Sequence, residues 1–141
     1  MTDKELLLKA VEARALAYAP YSNHKVGAAL LGKSGKVYTG CNVENAAYTP
    51  TNCAERTAVF KAVSEGEREF VAIAIVGGLG DTLSEVCAPC GVCRQVLAEF
   101  CDKDLHVVMG TPDSIKTSTL GELLPLSFGK SDLNKQFDNN S

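Results

Sequence analysis

Several residue types are scarce in this sequence, and each scarcity excludes a class of protein. The chain of 141 residues has no tryptophan and only two histidines. Its net charge is −3 and no cluster of lysine and arginine occurs, so the electrostatic footprint of a DNA- or RNA-binding protein is absent. No apolar run approaches the roughly 20 residues of a membrane-spanning helix, and residues 1–10 lack the apolar core of a signal peptide. We therefore expect neither a nucleic-acid partner nor a membrane.

The sequence does contain six cysteines, in a chain whose hydrophobic and charged fractions are ordinary for a globular protein. The length suits one domain, which we expect to span residues 1–130, followed by a polar tail at residues 131–141. Because no export signal is visible, we expect a cytoplasmic location. In that reducing compartment, clustered cysteines indicate a metal site before a disulfide.

Three cysteines and one glutamate have the spacing of a catalytic zinc site. Cys90 and Cys93 are three residues apart, so on a first helical turn both sulfurs project from the same face. Cys53 can supply a third thiolate from the start of another helix. Three ligands would leave the fourth tetrahedral position of zinc for water, and Glu55 would stand beside that water as a proton carrier. This arrangement is typical of a hydrolase.

The cysteines also allow other interpretations. With Cys87 the run becomes Cys-x2-Cys-x2-Cys, which suggests an iron–sulfur loop, but that pattern requires a cysteine and a proline where Leu97 and Ala98 stand. A redox dithiol remains open, as does a closed four-thiolate zinc site. The closed site would need Cys41, Cys87 or Cys101 as its last ligand, and the spacing favours the open three-cysteine site.

Glu55 has a structural alternative as well. The segment Asn52-Cys53-Ala54-Glu55 fits a capping box, in which Glu55 would reach back to the Asn52 amide. The position of Glu55 two residues after a metal-ligand candidate favours the catalytic role.

Periodicity and turn signals predict the order of elements. In chain order they are a helix from residue 2 or 3 to about 18, strands at 26–31 and 37–42, a helix at 52–65, a buried strand at 70–77, a helix at 90–101, a buried strand at 105–109, an edge strand at 115–118 and a short helix at 120–124. The predicted buried face of the first helix is Leu7, Leu8, Val11, Ala15 and Tyr18.

This order predicts an α/β fold: a three-layer α/β/α sandwich with a mixed five-stranded sheet, made of an antiparallel N-terminal hairpin plus parallel strands. Active sites in such sheets lie beyond the carboxyl ends of strands, where the next helices begin. Cys53, Cys90 and Cys93 all lie at helix starts of that kind, so we expect them to meet.

A set of short segments resembles the cytidine deaminase superfamily, in its small, homotetrameric, three-cysteine branch. The segments are Ala19-Pro20-Tyr21-Ser22, residues 26–30, residues 40–46, Cys53-Ala54-Glu55-Arg56, residues 89–95, and Leu123-Leu124-Pro125 with Phe128. They span about residues 4–130 in the order of the family. The combination of Cys-Ala-Glu with Pro-Cys-x-x-Cys is the zinc-deaminase signature described for nucleobase deaminases.

The resemblance implies an activity and a role for each matching residue. The activity is zinc-dependent hydrolytic deamination of cytidine and deoxycytidine to uridine and deoxyuridine plus ammonia, in pyrimidine salvage. The implied metal site has one Zn²⁺ per chain on Cys53, Cys90 and Cys93, with Glu55 as proton shuttle and Arg56 (with Arg94 as the other nearby arginine) donating hydrogen bonds to the sulfurs. In the implied substrate site, Asn42 and Glu44 bind the ribose, and Ala46, Tyr48 and Ala54 line the pocket. Phe128 is implied to cover a neighbouring subunit's site. The implied assembly is a homotetramer with shared active sites, and the implied partner is a small nucleoside.

One pocket position departs from the family pattern. His24 stands where related chains place phenylalanine, whose ring packs against the pyrimidine, and we expect the neutral imidazole to stack in the same way. Two other function classes remain at this point: a zinc deaminase of another aminopyrimidine compound, and a zinc-binding fold without enzymatic activity. Asn42 and Glu44, as ribose ligands, favour the nucleoside enzyme.

Overall fold

A five-stranded sheet with helices on both faces forms the fold. The computed structural model describes residues 1–133. Its elements are α1 (Asp3–Arg14), β1 (His24–Gly32), β2 (Val37–Cys41), α2 (Ala54–Ser64), β3 (Phe70–Leu79), α3 (Gly91–Phe100), β4 (His106–Thr111), β5 (Ser114–Thr119) and α4 (Leu120–Leu123). The strand order in the sheet is β2-β1-β3-β4-β5.

The pairing of the strands confirms the predicted mixed sheet. β1 and β2 form the antiparallel hairpin, β3 and β4 are parallel, and β5 pairs antiparallel to β4 at the edge. Since β1 is antiparallel to both β2 and β3, these two strands point the same way. Their carboxyl ends therefore lie at one edge of the sheet, and α2 and α3 begin beyond that edge.

The sheet separates two apolar layers, as the sandwich prediction requires. Along β1 and β3, side chains alternate between a layer under α1 and a layer under α2 and α3, so both faces are buried. The α1 layer receives small residues such as Ala29 and Ala74, whereas the other layer receives Leu30, Ile73 and Ile75. Small side chains on one face let α1 lie close to the sheet.

The first helix is shorter than predicted, and part of its predicted buried face is wrong. It starts as expected with Thr2 as its N-cap, but it ends at Arg14. Beyond that point the chain leaves the helix because the Tyr18 backbone pairs with both Asn42 and Glu44. Leu8 and Tyr18 are exposed, and the residues of α1 that are buried are Leu6, Leu7, Ala10, Ala13 and Arg14.

The other element boundaries agree with the prediction to within one or two residues. β1 starts two residues earlier and β3 ends two residues later than predicted, so both strands extend further toward the site edge. Residues 130–133 form a helical turn, so the predicted tail at 131–141 starts within it, and residues 134–141 lie outside the described part of the chain. None of the helices in residues 1–133 has the length and apolar character needed to cross a membrane.

Candidate active site

The candidate site lies where two helices begin at the carboxyl edge of the sheet. Cys53 is the N-cap of α2 and Cys90 is the N-cap of α3, and neither side chain caps its own helix. Both sulfurs are therefore free to face other groups. The two helix N-termini bring unpaired N–H groups and positive dipole ends to this edge, where they favour thiolates.

The sulfurs of Cys53, Cys90 and Cys93 form one cluster. The Sγ atoms of Cys53 and Cys90 are 3.8 Å apart, and those of Cys90 and Cys93 are 3.5 Å apart. Two thiolates on one tetrahedral zinc, each at about 2.3 Å from the metal, lie about 3.8 Å apart. Among the described residues, these three are the group whose ligand atoms meet within 4.8 Å. The cluster fits a zinc ion with three protein ligands, and Cys41, Cys87 and Cys101 do not close it.

The proton distribution within the cluster is uneven. Donation from the Cys93 thiol, followed by donation from Arg56 and Cys90, lowers the pKa of Cys53 to about 5 despite burial. The pKa of Cys93 is raised, because Cys53 accepts its hydrogen bond and because the thiol is buried. Because metals bind cysteine as the thiolate, a metal at this cluster would displace the protons that its thiols carry.

Glu55 is a buried carboxylate beside these sulfurs. It lies in the first turn of α2 with 4% of its surface exposed. Burial raises its pKa, and the charge at Cys53 acts in the same direction. The capping-box alternative is wrong: the Asn52 amide donates to Val43, and the Asn52 side chain donates to Thr57. Glu55 is therefore not occupied as a cap.

The two arginines near the site have different partners. Arg56 Nη2 donates to Cys53 Sγ at 3.3 Å, and its buried Nε has no hydrogen-bond partner. A buried guanidinium edge with a free donor suits an anionic neighbour such as a metal–thiolate cluster. Arg94 instead donates to the carbonyl oxygens of Pro89 and Leu123, so it joins the start of α3 to the end of α4.

A cavity of about 270 Å³ opens in front of the cluster. Most of the predicted site residues line it: His24, Asn42, Glu44, Cys53, Ala54, Glu55 and Cys90, together with Ser22, Val26, Thr51, Asn52, Cys87 and Ala88. The sequence analysis missed this second group. Of these residues, Cys87 had the clearest sequence signal, because it belongs to the same cysteine run as Cys90 and Cys93. In the structure it lines the cavity wall and does not join the sulfur cluster.

Asn42 and Glu44 form the polar end of the cavity, and both are held in place by backbone groups. Asn42 accepts from the Val26 amide at 2.9 Å and donates to the His24 carbonyl at 2.8 Å. Glu44 accepts from the Ser22 hydroxyl and from the amides of Ser22 and Tyr21. The Ser22 hydroxyl is the main reason why the pKa of Glu44 is lowered. The carboxylate is thus ionised and oriented before any ligand arrives.

Three predicted substrate-contact residues lie outside this cavity. Ala46 is exposed on the loop after β2, and Tyr48 is 77% exposed and lines a neighbouring hollow with Glu44. Phe128 is 62% exposed, and its carbonyl accepts from Gln95 on α3. One chain by itself does not bring these three side chains to the cluster.

A larger hollow of about 1080 Å³ lies at the opposite edge of the sheet, near Phe70 and His106. Its lining mixes acidic and basic side chains without a cluster of metal ligands. The smaller cavity is the better candidate for the functional site despite its lower volume, because it combines a buried carboxylate, three thiols and oriented polar groups.

The fold and the site define the class of zinc-dependent hydrolases in which a carboxylate and three thiolates meet at two helix starts. The comparisons with known proteins agree. Residues 1–109 match the family model described as "Cytidine and deoxycytidylate deaminase zinc-binding region". The chain belongs to this family of zinc-binding deaminases.

Relatives and solved structures cover nearly the whole chain. It is 50% identical over 134 residues to a cytidine deaminase of Sporosarcina psychrophila, covering 94% of this chain and 96% of the relative. It is 53% identical over 134 residues to a cytidine deaminase of Halalkalibacterium halodurans, covering 94% and 98%. The crystal structure of cytidine deaminase from Burkholderia pseudomallei matches with a TM-score of 0.84 and 50% identity, over 91% of this chain and 100% of that one.

Proposed function

We propose that this protein is a cytidine deaminase, which hydrolyses cytidine and deoxycytidine to uridine and deoxyuridine with release of ammonia, in pyrimidine salvage. The observation that carries the proposal is the buried carboxylate of Glu55 beside three thiols with zinc-ligand spacing, in a cavity whose other end is polar. Membership of the deaminase family supports the same conclusion.

The proposed zinc, about one per chain on Cys53, Cys90 and Cys93, acts as a Lewis acid that makes a water molecule nucleophilic at neutral pH. Glu55 accepts a proton from the attacking water as its oxygen bonds to C4 of the base. Glu55 delivers this first proton to N3. It then takes the second proton from the new C4 hydroxyl and passes it to the amine as the C4–N bond breaks, so that water and cytidine become uridine and ammonia. The raised pKa of Glu55 suits a group that must both accept and return a proton.

The remaining lining residues orient the nucleoside. Asn42 and Glu44 bind the ribose hydroxyls with the lone pairs and protons that their backbone contacts leave free. Backbone groups at Cys53 and Ala54 hold the base edge, and His24 stacks on the ring. Arg56 stabilises the anionic cluster through Cys53.

The cavity favours a nucleoside over a nucleotide. Within the described part of the chain, no lysine or arginine lines it, whereas His24, Glu44 and Glu55 do. A 5′-phosphate would need cationic partners, and it would approach two carboxylates. A volume of about 270 Å³ also lies near the lower end of small-molecule sites.

The assembly and the location belong to the same proposal. The enzyme is a homotetramer in which Tyr48 and Phe128, both exposed in one chain, contribute to neighbouring sites. One zinc domain spans residues 1–130. The enzyme works in the cytoplasm, which suits the six unpaired thiols.

A direct test is the fall in ultraviolet absorbance when purified protein deaminates cytidine. Deoxycytidine and deoxycytidine monophosphate serve as comparison substrates, and a thiol-competent chelator tests the metal. We expect turnover of both nucleosides, little turnover of the monophosphate, and loss of activity with the chelator that added zinc restores. Metal-bound protein without nucleoside turnover would instead indicate a non-enzymatic zinc fold.

A further inference from the structure

Arg14 is a buried arginine whose guanidinium binds only backbone carbonyl oxygens. It lies at the last position of α1 and is 9% exposed. Its Nε donates to Lys25 O at 2.9 Å, and its Nη2 donates to Gly78 O, Gly80 O and Thr82 O at 2.9, 2.6 and 3.0 Å. None of the ion pairs among residues 1–133 involves Arg14.

Burying a cation without a carboxylate partner costs free energy unless hydrogen bonds satisfy its donors. The planar guanidinium can satisfy this need because its several N–H groups reach different carbonyl oxygens at once. One side chain thus ties α1 to two separate backbone segments.

The carbonyls that Arg14 binds belong to the two chain segments that frame the cavity. Lys25 lies between His24 and Val26, both of which line the cavity. The other acceptors lie at the end of β3 and in the turn beyond it. These segments also contact each other: Lys25 pairs with Gly78, and the Gly80 amide donates to the Asn23 carbonyl at 2.9 Å.

Cys87, the third wall residue, lies in the loop that continues from this turn. The Ser84 amide donates to Gly77 O at 2.7 Å, and a Cβ on Gly77 would come within 2.6 Å of Cys87 Sγ. The thiol therefore occupies the space that glycine leaves. Burial raises the pKa of Cys87 to about 11, and the charge of Arg14 opposes that rise.

We propose that Arg14 is a positioning residue for nucleoside binding, because it fixes the cavity wall formed by His24, Val26 and Cys87. The proposal rests on the proposed deaminase function for its kinetic consequence. Arg14 touches neither the substrate nor the sulfur cluster. It acts through the backbone of residues 24–26 and 78–82, and so determines where the wall against the base lies.

The test replaces Arg14 by lysine, whose single ammonium group cannot hold four carbonyls in a planar array. Leu7→Val is the matched control, because Leu7 is a fully buried residue of the same helix that belongs to the apolar layer with Ala29 and Ala74. The measurements are zinc content, melting temperature, kcat and KM for cytidine, and the alkylation rate of Cys87 by iodoacetamide with mass-spectrometric readout.

We expect Arg14→Lys to keep its zinc and to raise KM about tenfold while kcat changes less, the pattern of lost binding in substrate and transition state alike. Cys87 alkylation should accelerate. Leu7→Val, compared at a similar loss of melting temperature, should show neither effect. In Arg14→Ala, millimolar guanidinium should lower KM toward the wild-type value.

Each other outcome decides a different point. Equal KM and equal Cys87 alkylation in Arg14→Lys and Leu7→Val would overturn the positioning role. If both Arg14 variants fold only with guanidinium present, the arginine serves folding and the proposal is again wrong. If the wild-type protein does not deaminate cytidine, the deaminase function is wrong. Faster Cys87 alkylation in Arg14→Lys would still support the role of Arg14 in fixing the cavity wall.

Discussion

At the scale of single residues, the surroundings of Glu55 explain why a carboxylate can carry the chemistry. Its side chain is desolvated, and the charge of a neighbouring thiolate adds to the rise in its pKa. Both effects favour the protonated form and bring a carboxylic acid closer to the range in which it can exchange protons with a substrate. The Asn52 amide does not compete for its oxygens, since that amide donates to Val43.

Glu55→Gln should keep zinc and fold but lose most of its turnover. The amide preserves the shape of the side chain and removes the proton acceptor, and loss of a general base typically lowers the rate by about 10²–10⁴-fold. The check is kcat for cytidine alongside zinc content per chain. Glu69→Gln is the control, because Glu69 is an exposed glutamate paired with Lys33. Near-normal turnover with full zinc occupancy would remove Glu55 from the mechanism.

His24 should contribute to substrate binding through its ring. It lies at the start of β1 and lines the cavity. Stacked aromatic rings gain about 0.5–1.5 kcal/mol beyond the area they bury. His24→Ala should therefore raise KM for cytidine about two- to tenfold, whereas His24→Phe should keep KM near the wild-type value, and neither change should alter the zinc content. Equal KM values for the wild type and His24→Ala would show that His24 does not contact the substrate.

At the scale of elements, the metal ligands connect the beginnings of two helices. α2 and α3 start at cysteines whose side chains make no capping bond. A zinc ion on Cys53, Cys90 and Cys93 would tie the helix starts together and contribute its binding free energy to folding.

Alanine at any of the three ligand positions should release zinc and lower the melting temperature. Cys87→Ser and Cys101→Ser are the matched controls, because these thiols lie outside the sulfur cluster and should leave about one zinc per chain in place. The measurement is metal analysis together with thermal unfolding. Loss of zinc from Cys87→Ser would show that the ligand assignment is wrong.

The contact between α1 and β1 should be intolerant of a single added carbon. A Cβ on Gly27 would come within 2.0 Å of Ala10 O and 2.5 Å of Arg14 N, both backbone atoms that cannot move independently of the helix. Gly27→Ala should therefore destabilise the fold by about 1–3 kcal/mol, or more if the helix cannot shift. Gly129→Ala serves as control, since among residues 1–133 no atom beyond its chain neighbours lies within 4 Å of its Cβ position. Equal unfolding free energies in urea for the two variants would contradict this.

At the scale of the whole molecule, several large apolar side chains are exposed. Tyr48, Leu126 and Phe128 are each more than half exposed, and Tyr48 and Leu126 also adopt positive φ angles of 54° and 52°. Exposed apolar groups on a constrained backbone are typical of surfaces that another chain covers.

The family resemblance implies a homotetramer with shared sites, so light scattering should show a tetramer, and active sites should complement one another between chains. Phe128→Ala and Glu55→Gln should each be poorly active alone. After mixing and reassembly, some sites would combine Glu55 from one chain with Phe128 from the other, so activity should exceed the sum of the separate proteins. A fully active monomer, or a mixture without gain, would reject the shared site.

The sequence by itself determined the order of elements, the mixed sheet and the cysteine cluster. These depend on local signals: apolar runs mark the buried strands, and thiols three residues apart share a helical face. The rule that parallel strands end at one edge then places Cys53 near Cys90 without any distance being known. The family resemblance added the expected roles of Asn42, Glu44 and Glu55.

Only the tertiary structure decided which hydrogen-bond partner certain polar groups have. Asn52 has the sequence of a cap, yet its amide is taken by Val43, which lies nine residues earlier in the chain. The sequence analysis does not single out Arg14, yet the close approach of α1 to β1 at Gly27 buries it against carbonyls more than sixty residues away. Local pattern cannot encode such choices, because they depend on the free energy of contacts between segments that meet only in the folded chain.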